Sequence, residues 1–225
     1  MSHLGVITGL AAEAAIATSA AGNRRVTVVC AGASSARAER LAEDLVAGGA
    51  DALLSFGIAG GLEPDLKPGD VVLPVAVRDG AADHPTDAAW HARVSREIAA
   101  RAGLLVGSDR VVPHPGEKRA RRAATGAAAV DMESHAVARV ARRHGVPFLV
   151  LRVISDGAHG RLPRAALHGV ATDGRARPGA VAARLALAPW QLPALLRLRR
   201  DSARAFRRLG RVARDAPALF GPFDL

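Results

Sequence analysis

An α/β domain with a largely parallel sheet, covered by helices on both faces, is the fold class this sequence predicts. Two observations carry it. Short apolar runs rich in branched residues recur at Leu4–Thr8, Val26–Cys30, Asp51–Phe56 and Val146–Leu151, each of strand length. Between them lie alanine- and leucine-rich stretches of helical length, the alternation expected of strands joined by crossover helices. At 225 residues the chain can bury a sizeable core, and one domain is the default.

Taken in order, Leu4–Thr8 reads as a first strand, and Gly9 ends it before a helix over Leu10–Ser19. Val26–Cys30 is a second strand. Ala33-Ser-Ser then precedes a helix over Ala36–Val46, closed by Gly48-Gly49. Asp51–Phe56 is a third strand, running into Gly57-Ile-Ala-Gly-Gly61. Leu66–Pro74 reads as a turn feeding another strand, and Asp79–Ala88, polar and interrupted by Pro85, as a loop. Ala89–Ala102 has helical spacing, with Trp90, Val94 and Ile98 on one face. Val106–Val112 is a short strand, Gly116–Ala124 a charged helix, Ala127–Asp131 a buried strand and Met132–His144 a helix. The strand at Val146–Leu151 leads into Arg152-Val-Ile-Ser-Asp-Gly-Ala158. Residues 157–179 read as a loop over that strand end, and Ala180–Leu187 as a helix. The division expected is a catalytic domain over 1–188 and a basic amphipathic tail over 189–225.

Composition excludes several functions. With five Phe, two Trp and no Tyr, the stacking platforms of single-strand binders are poorly supplied. The formal charge is +10, but all 31 basic residues except Lys67 and Lys118 are arginine, and the residues from Pro189 onward hold eight arginines against three aspartates. Half of the net charge therefore belongs to the tail. Cys30 is the single cysteine, which rules out an internal disulfide and a cysteine-based zinc site. No signal-peptide pattern or membrane-length apolar run is visible, so a soluble cytoplasmic protein is expected.

Open α/β sheets keep their chemistry at the carboxyl ends of strands. Four features fall there: Glu13, Gly57–Gly61, Asp131-Met-Glu-Ser134 and Ser155-Asp156. Singly each has a plain explanation. Asp156 could cap a turn, Glu133 could be a carboxylate favoured in a helix first turn, and Glu13 a solvated helix residue. The glycine run has neither dinucleotide-fingerprint nor P-loop spacing.

Together, Gly9-Leu-Ala-Ala-Glu13, Phe56-Gly-Ile-Ala-Gly-Gly-Leu62, Gly69-Asp-Val-Val72, Val130-Asp-Met-Glu-Ser134 and Arg152-Val-Ile-Ser-Asp156 resemble the nucleoside phosphorylase/nucleosidase superfamily over some two thirds of the chain. The resemblance implies a three-layer fold with a mixed central sheet, to which the sequence adds a C-terminal amphipathic helix. It implies cleavage of a purine N-glycosidic bond without metal or redox cofactor. Asp156 would protonate the leaving base, oriented by Ser155. Glu133 would accept from the ribose hydroxyls, Met132 would form an apolar wall, and Ala59 and Gly60 would line the substrate. To donate, Asp156 must hold a proton near neutrality, which asks for burial or a neighbouring acceptor. Glu13 matches a residue that activates water. Gly32, Ser34, Ser35 and Arg37 at a helix N-terminus offer the alternative, a site for inorganic phosphate as co-substrate. Hydrolysis and phosphorolysis both stand.

Val111 and Val112 lie where adenosine-type relatives stack an aromatic on the base, which implies a wider aliphatic pocket. In the tail, Trp190, Leu192, Leu195, Leu196, Leu198, Phe206, Leu209 and Val212 interleave with seven arginines. Such a helix suits either an anionic membrane, at the inner face, or a protein core. Residues 107–111, 123–138 and 190–198 look like the hopanoid-biosynthesis-associated phosphorylases, implying adenosylhopane as substrate, with a homodimer as the default. The rivals are a methylthioadenosine/adenosylhomocysteine nucleosidase and, in another class, a membrane- or nucleic-acid-binding protein using the α/β body as scaffold.

Overall fold

A computed structural model describes residues 3–221. Nine strands form one mixed sheet. They are β1 (Leu4–Thr8), β2 (Val26–Cys30), β3 (Ala52–Gly61), β4 (Val71–Val72), β5 (Ala76–Asp79), β6 (Ala82–Pro85), β7 (Leu104–Gly107), β8 (Ala129–Asp131) and β9 (Phe148–Asp156). The helices are α1 (Ala11–Ala21), α2 (Ser35–Ala47), α3 (Ala88–Glu97), α4 (Pro115–Thr125), α5 (Ser134–His144), α6 (Pro178–Ala186) and α7 (Leu192–Asp215).

The long strand β3 organises the sheet. It pairs in parallel with β1 on one side and with β9 on the other, and its last two residues pair antiparallel with β8. Through β8 the sheet continues to β7, β5 and β6. Strand side chains alternate between faces, so β3 feeds two cores. Leu54 and Phe56 join Leu149, Leu151 and Val153 under α1, α3 and α7. Leu53 and Ala59 join Ile7, Val150 and Ile154 on the face covered by α2 and α5. The face predicted for α3 is buried as expected, with Trp90 and Val94 inward.

Three elements depart from the sequence reading. The third strand runs on past Phe56 through Gly57–Gly61, where Gly57 leaves room for a buried carboxylate described below. The stretch 79–88 contains a hairpin, β5 with β6, whose Pro85 is tolerated because β6 is the sheet edge. The strand expected over Val106–Val112 ends at Gly107, which leaves Val111 and Val112 in a loop.

The tail is only half free. The second half of α7 contributes Ala205, Leu209, Val212 and Ala213 to the core, and Leu219 and Phe220 follow them inward. The Phe220 ring meets Phe56 edge-on at 5.8 Å, and the Trp90 indole donates to the Ala218 carbonyl at 2.8 Å. Residues 189–221 therefore share the hydrophobic core with the rest of the chain. By contrast Leu187, Trp190, Leu192 and Leu196 are exposed, beside the exposed Arg197, Arg199 and Arg200. Among the described residues no helix is long and apolar enough to cross a membrane.

This division predicts that Leu209→Ala costs about 2–5 kcal/mol, the usual range for deleting a buried leucine side chain. Leu196→Ala should change stability by less than about 0.5 kcal/mol. Urea unfolding of the two variants measures the difference, and equal losses would contradict the division.

Candidate active site

The ends of β1, β3, β8 and β9 converge, and their first common feature is a buried guanidinium. Arg152, 1% exposed, lies on β9 and pairs with Asp131 at the end of β8, donating through Nε at 2.7 Å and approaching through Nη2 at 2.6 Å. Its Nη2 also donates to Ser55 on β3 at 2.7 Å and to Ser134 at the start of α5 at 3.1 Å. Asp131 in turn accepts from the Ser134 amide at 3.2 Å, closing the turn from β8 into α5. Glu133 sits inside that turn, so its carboxylate is fixed by the same network.

Glu133 and Glu13 face each other across Gly9. A Cβ built on Gly9 would stand 2.6 Å from Glu133 Oε1, so only glycine admits the carboxylate there. Glu13, from α1, turns back: its Oε2 accepts from the Gly9 and Leu10 amides at 2.9 and 2.8 Å, and its Oε1 from the Ile58 amide at 2.7 Å. Gly57 is the matching gap on β3, where a Cβ would lie 2.5 Å from Glu13 Oε1. Ile58 contributes only its backbone to this contact.

Burial pushes both carboxyls up. Glu133 rises from an ordinary 4.5 to about 8, through desolvation first and the Asp131 carboxylate second, with Arg152 at 3.8 Å opposing. Glu13 is raised by desolvation against the pull of Arg152 and its three amide donors. Glu133 can therefore hold or take a proton near neutrality, and Glu13 is shifted in the same direction.

Asp156 ends β9 opposite Gly60 on β3. Ile58, which carries the Glu13 contact, is two residues back along β3. The rise of a strand separates the two backbone positions by about 7 Å. Ser155 donates to Asp156 Oδ1 at 2.8 Å and reaches the Ala59 carbonyl at 3.2 Å, consistent with the orienting role expected of it. Oδ2 accepts from Lys118 Nζ, which also donates to the Gly157 carbonyl at 2.8 Å. The expectation of a neighbouring acceptor is thus corrected: both oxygens of Asp156 meet donors, and one of them is an ammonium.

The remaining sequence candidates divide. Met132 is half-buried beside Glu133. Val111 is 40% exposed on its loop, whereas Val112 is buried with Leu62, Val106, Ala127 and Val130 in a small separate core, and so packs as structure. The four residues of the candidate phosphate site are engaged by the chain itself. Ser34 caps α2, accepting from the Arg37 amide, and Ser35 donates to Asp109 at 2.5 Å. Arg37 donates to the Thr172 carbonyl at 2.7 Å, and a Cβ on Gly32 would collide with that oxygen at 1.9 Å. A carboxylate, Asp109, thus stands at the helix N-terminus where phosphate was expected.

The segment after β9 packs as an irregular cover. The Gly174 carbonyl accepts from the Ala11 amide at 3.0 Å, and the Pro113 carbonyl from the Leu162 amide at 3.0 Å. It spans the strand ends that hold Glu13 and the loop after β7. A surface crevice lined by His84, Asp87, Arg142 and Phe148 lies at the opposite end of β9 and holds none of these residues.

Sequence reasoning left Arg152 without a role and passed over Lys118. Arg152 stood inside the quoted motif, in a strand with apolar neighbours on both sides, which is itself a sign of a paired buried charge. Lys118 had one signal: it is one of two lysines among 31 basic residues, and the other, Lys67, is exposed.

A pH dependence follows from Glu133. In the unfolded chain it loses its proton near 4.5, in the folded chain near 8. Between those values the folded state binds more protons, so stability falls as pH rises. The urea midpoint should decline from pH 5 to pH 8, and Glu133→Gln should decline less steeply; parallel curves would contradict the assignment.

Comparison with known proteins places this geometry. The model of the phosphorylase superfamily matches residues 7–187. Among solved structures, the 5′-methylthioadenosine/S-adenosylhomocysteine nucleosidase of Neisseria meningitidis superposes with a TM-score of 0.69 at 18% identity, covering 95% of this chain and 99% of that one. The corresponding Helicobacter pylori nucleosidase gives 0.68 at 18% identity, covering 94% and 97%. The futalosine hydrolase of Helicobacter pylori gives 0.69 at 17%, also covering 94% and 97%. At such identities the structures speak for the fold, and the family match speaks for the chain. The protein belongs to the phosphorylase superfamily, as an enzyme of its nucleoside phosphorylase and nucleosidase kind.

Proposed function

We propose that this enzyme releases adenine from an adenosyl nucleoside by hydrolysis, with Asp156 as proton donor to the base, Glu133 as ribose anchor and Glu13 as the base that activates water. The observation that carries the reading is the convergence of three carboxyl groups, Glu13, Glu133 and Asp156, at neighbouring strand ends. Cleaving an N-glycosidic bond builds positive charge at the anomeric carbon and negative charge on the departing purine. Glu133, with few partners of its own, is the carboxyl left open to accept from the 2′- and 3′-hydroxyls and to favour the developing cation. Glu13 keeps one lone pair of Oε1 free after its amide contact, enough to take a proton from water. The engagement of Ser34, Ser35 and Arg37 by the chain, with Asp109 at the helix end, supports water over phosphate.

The finer substrate we propose is adenosylhopane. It is supported by the resemblance of residues 107–111, 123–138 and 190–198 to hopanoid-associated phosphorylases, and by the aliphatic Val111 in place of a stacking aromatic. The exposed Leu187, Trp190, Leu192 and Leu196, flanked by arginines, suit contact with an anionic bilayer from which a lipid-linked nucleoside would be drawn.

Adenine release from adenosylhopane and from methylthioadenosine, each with and without phosphate, tests the proposal. Free sugar as product at both phosphate levels is expected; ribose 1-phosphate chemistry would replace Glu13 as the activating group. Asp156→Asn should lower kcat by about 10²–10⁴-fold, the range of a lost general acid. Activity on methylthioadenosine alone would assign the smaller substrate. For the surface, Trp190→Ser with Leu192→Ser should reduce sedimentation with phosphatidylglycerol vesicles while leaving methylthioadenosine turnover unchanged; undiminished sedimentation would remove the bilayer contact.

A further inference from the structure

Lys118 is the least expected charge in the molecule. It projects from α4, a helix whose other residues are all at least partly exposed, and its side chain is completely buried. An isolated ammonium in such a place is costly, and an apolar residue would be the default for the one inward position of a polar helix. What the ammonium has instead is two acceptors, Asp156 Oδ2 and the Gly157 carbonyl.

Resting on the proposed role of Asp156 as acid, we propose that Lys118 is the positioning residue that supplies the proton Asp156 hands to the leaving purine. In the resting protein Oδ1 accepts from Ser155 and Oδ2 from Lys118, which is the pattern of a carboxylate with no proton of its own. The Ser155 hydroxyl is too weak an acid to provide one. Lys118 is in contact and has three.

The step balances without another reactant. As the C1′–N9 bond breaks, its electron pair moves into the purine. The purine N7 takes a proton from Asp156, and Asp156 takes one from Lys118 Nζ. Lys118 becomes a neutral amine that still donates to Gly157. A positive charge thus leaves the lysine while one develops at the sugar. Water adds to the anomeric carbon and gives its proton to Glu13, from which it returns through solvent to Asp156 and Lys118. Asp156 then behaves as an acid only when a purine is present to draw the proton through it, which answers how a carboxylate beside an ammonium can donate at all.

A merely structural lysine, pinning α4 to residue 157, makes a different kinetic prediction. The test is a double-mutant cycle of Lys118→Met and Asp156→Asn, read as kcat and KM for adenine release from methylthioadenosine, with thermal melts as the fold check. Lys118→Met is expected to lower kcat by about 100-fold or more, with KM within roughly threefold. The double variant should be no slower than Asp156→Asn alone, because the lysine acts only through that carboxylate. Losses that multiply, a loss confined to KM, or near-wild-type kcat would overturn the proposal. Should Lys118→Met melt below the assay temperature, Lys118→Gln takes its place: it keeps N–H donors for both acceptors but yields no proton, so recovery of activity would mark the role as structural. Wild-type protein that frees no purine from either methylthioadenosine or adenosylhopane ends the parent reading and this one together. Full turnover by Asp156→Asn ends the acid assignment, and with it the relay.

Discussion

The structure depends on a guanidinium taken out of water. Arg152 lies in the middle of β9, between β3 and the end of β8, with only 1% of its surface exposed. Breaking such a buried pair costs about 3–5 kcal/mol, because the surviving charge has no solvent to turn to. Its ligands therefore have little freedom: Asp131, Ser55 and Ser134 must stay where the fork of the guanidinium meets them. Those three residues belong to β8, β3 and α5. One charge thereby fixes the angle at which β8 runs antiparallel to the end of β3 and turns into α5, and Glu133 lies within that turn. The position of the proposed sugar anchor is thus a by-product of satisfying Arg152.

The charge balance of the site follows from the same burial. Four carboxyl groups, Glu13, Asp131, Glu133 and Asp156, share two cations, Arg152 and Lys118. Were all ionised, two negative charges would be left without a partner in a largely dry region. Burial resolves the excess by pushing Glu13 and Glu133 up: Glu133 has Arg152 only at 3.8 Å, and Glu13 is held by backbone amides. Asp131 and Asp156 each touch a cation directly. The division among the carboxyls thus has an electrostatic origin: burial pushes Glu13 and Glu133 towards the protonated form, while Asp131 and Asp156 are each held by a close counter-ion.

Much of this was legible in sequence where a single physical rule governed. The strands at Leu4–Thr8 and Val26–Cys30, the helix α2 and the inward face of α3 follow from apolar pattern alone, and the structure reproduces them. Glu13, Glu133 and Asp156 were legible through position, at strand ends. What was not legible depended on partners far away in the chain. Gly57 read only as part of a glycine run at a strand end, since nothing local reveals that it is needed to admit Glu13 beside the strand. Pro85 read as a breaker, since edge position is a property of the whole sheet. Lys118 sits 38 residues from its carboxylate, in a helix whose apolar content gives no reason to turn that side chain inward.

The tail shows why amphipathicity alone leaves two answers. A helix with one apolar and one arginine-rich face is the same object whether its apolar side meets a bilayer or a protein core. The structure divides it by position along the axis. From Ala205 onward the apolar side is consumed by β9 and α1, and the arginines on the other face are what any surface helix would carry. Only the first turns, with Leu192 and Leu196, and the approach through Leu187 and Trp190 keep apolar surface in excess of what packing uses. That excess lies next to the cover over the active site, to which it is tied by the Gln191 side chain accepting from the Ala165 amide at 3.2 Å.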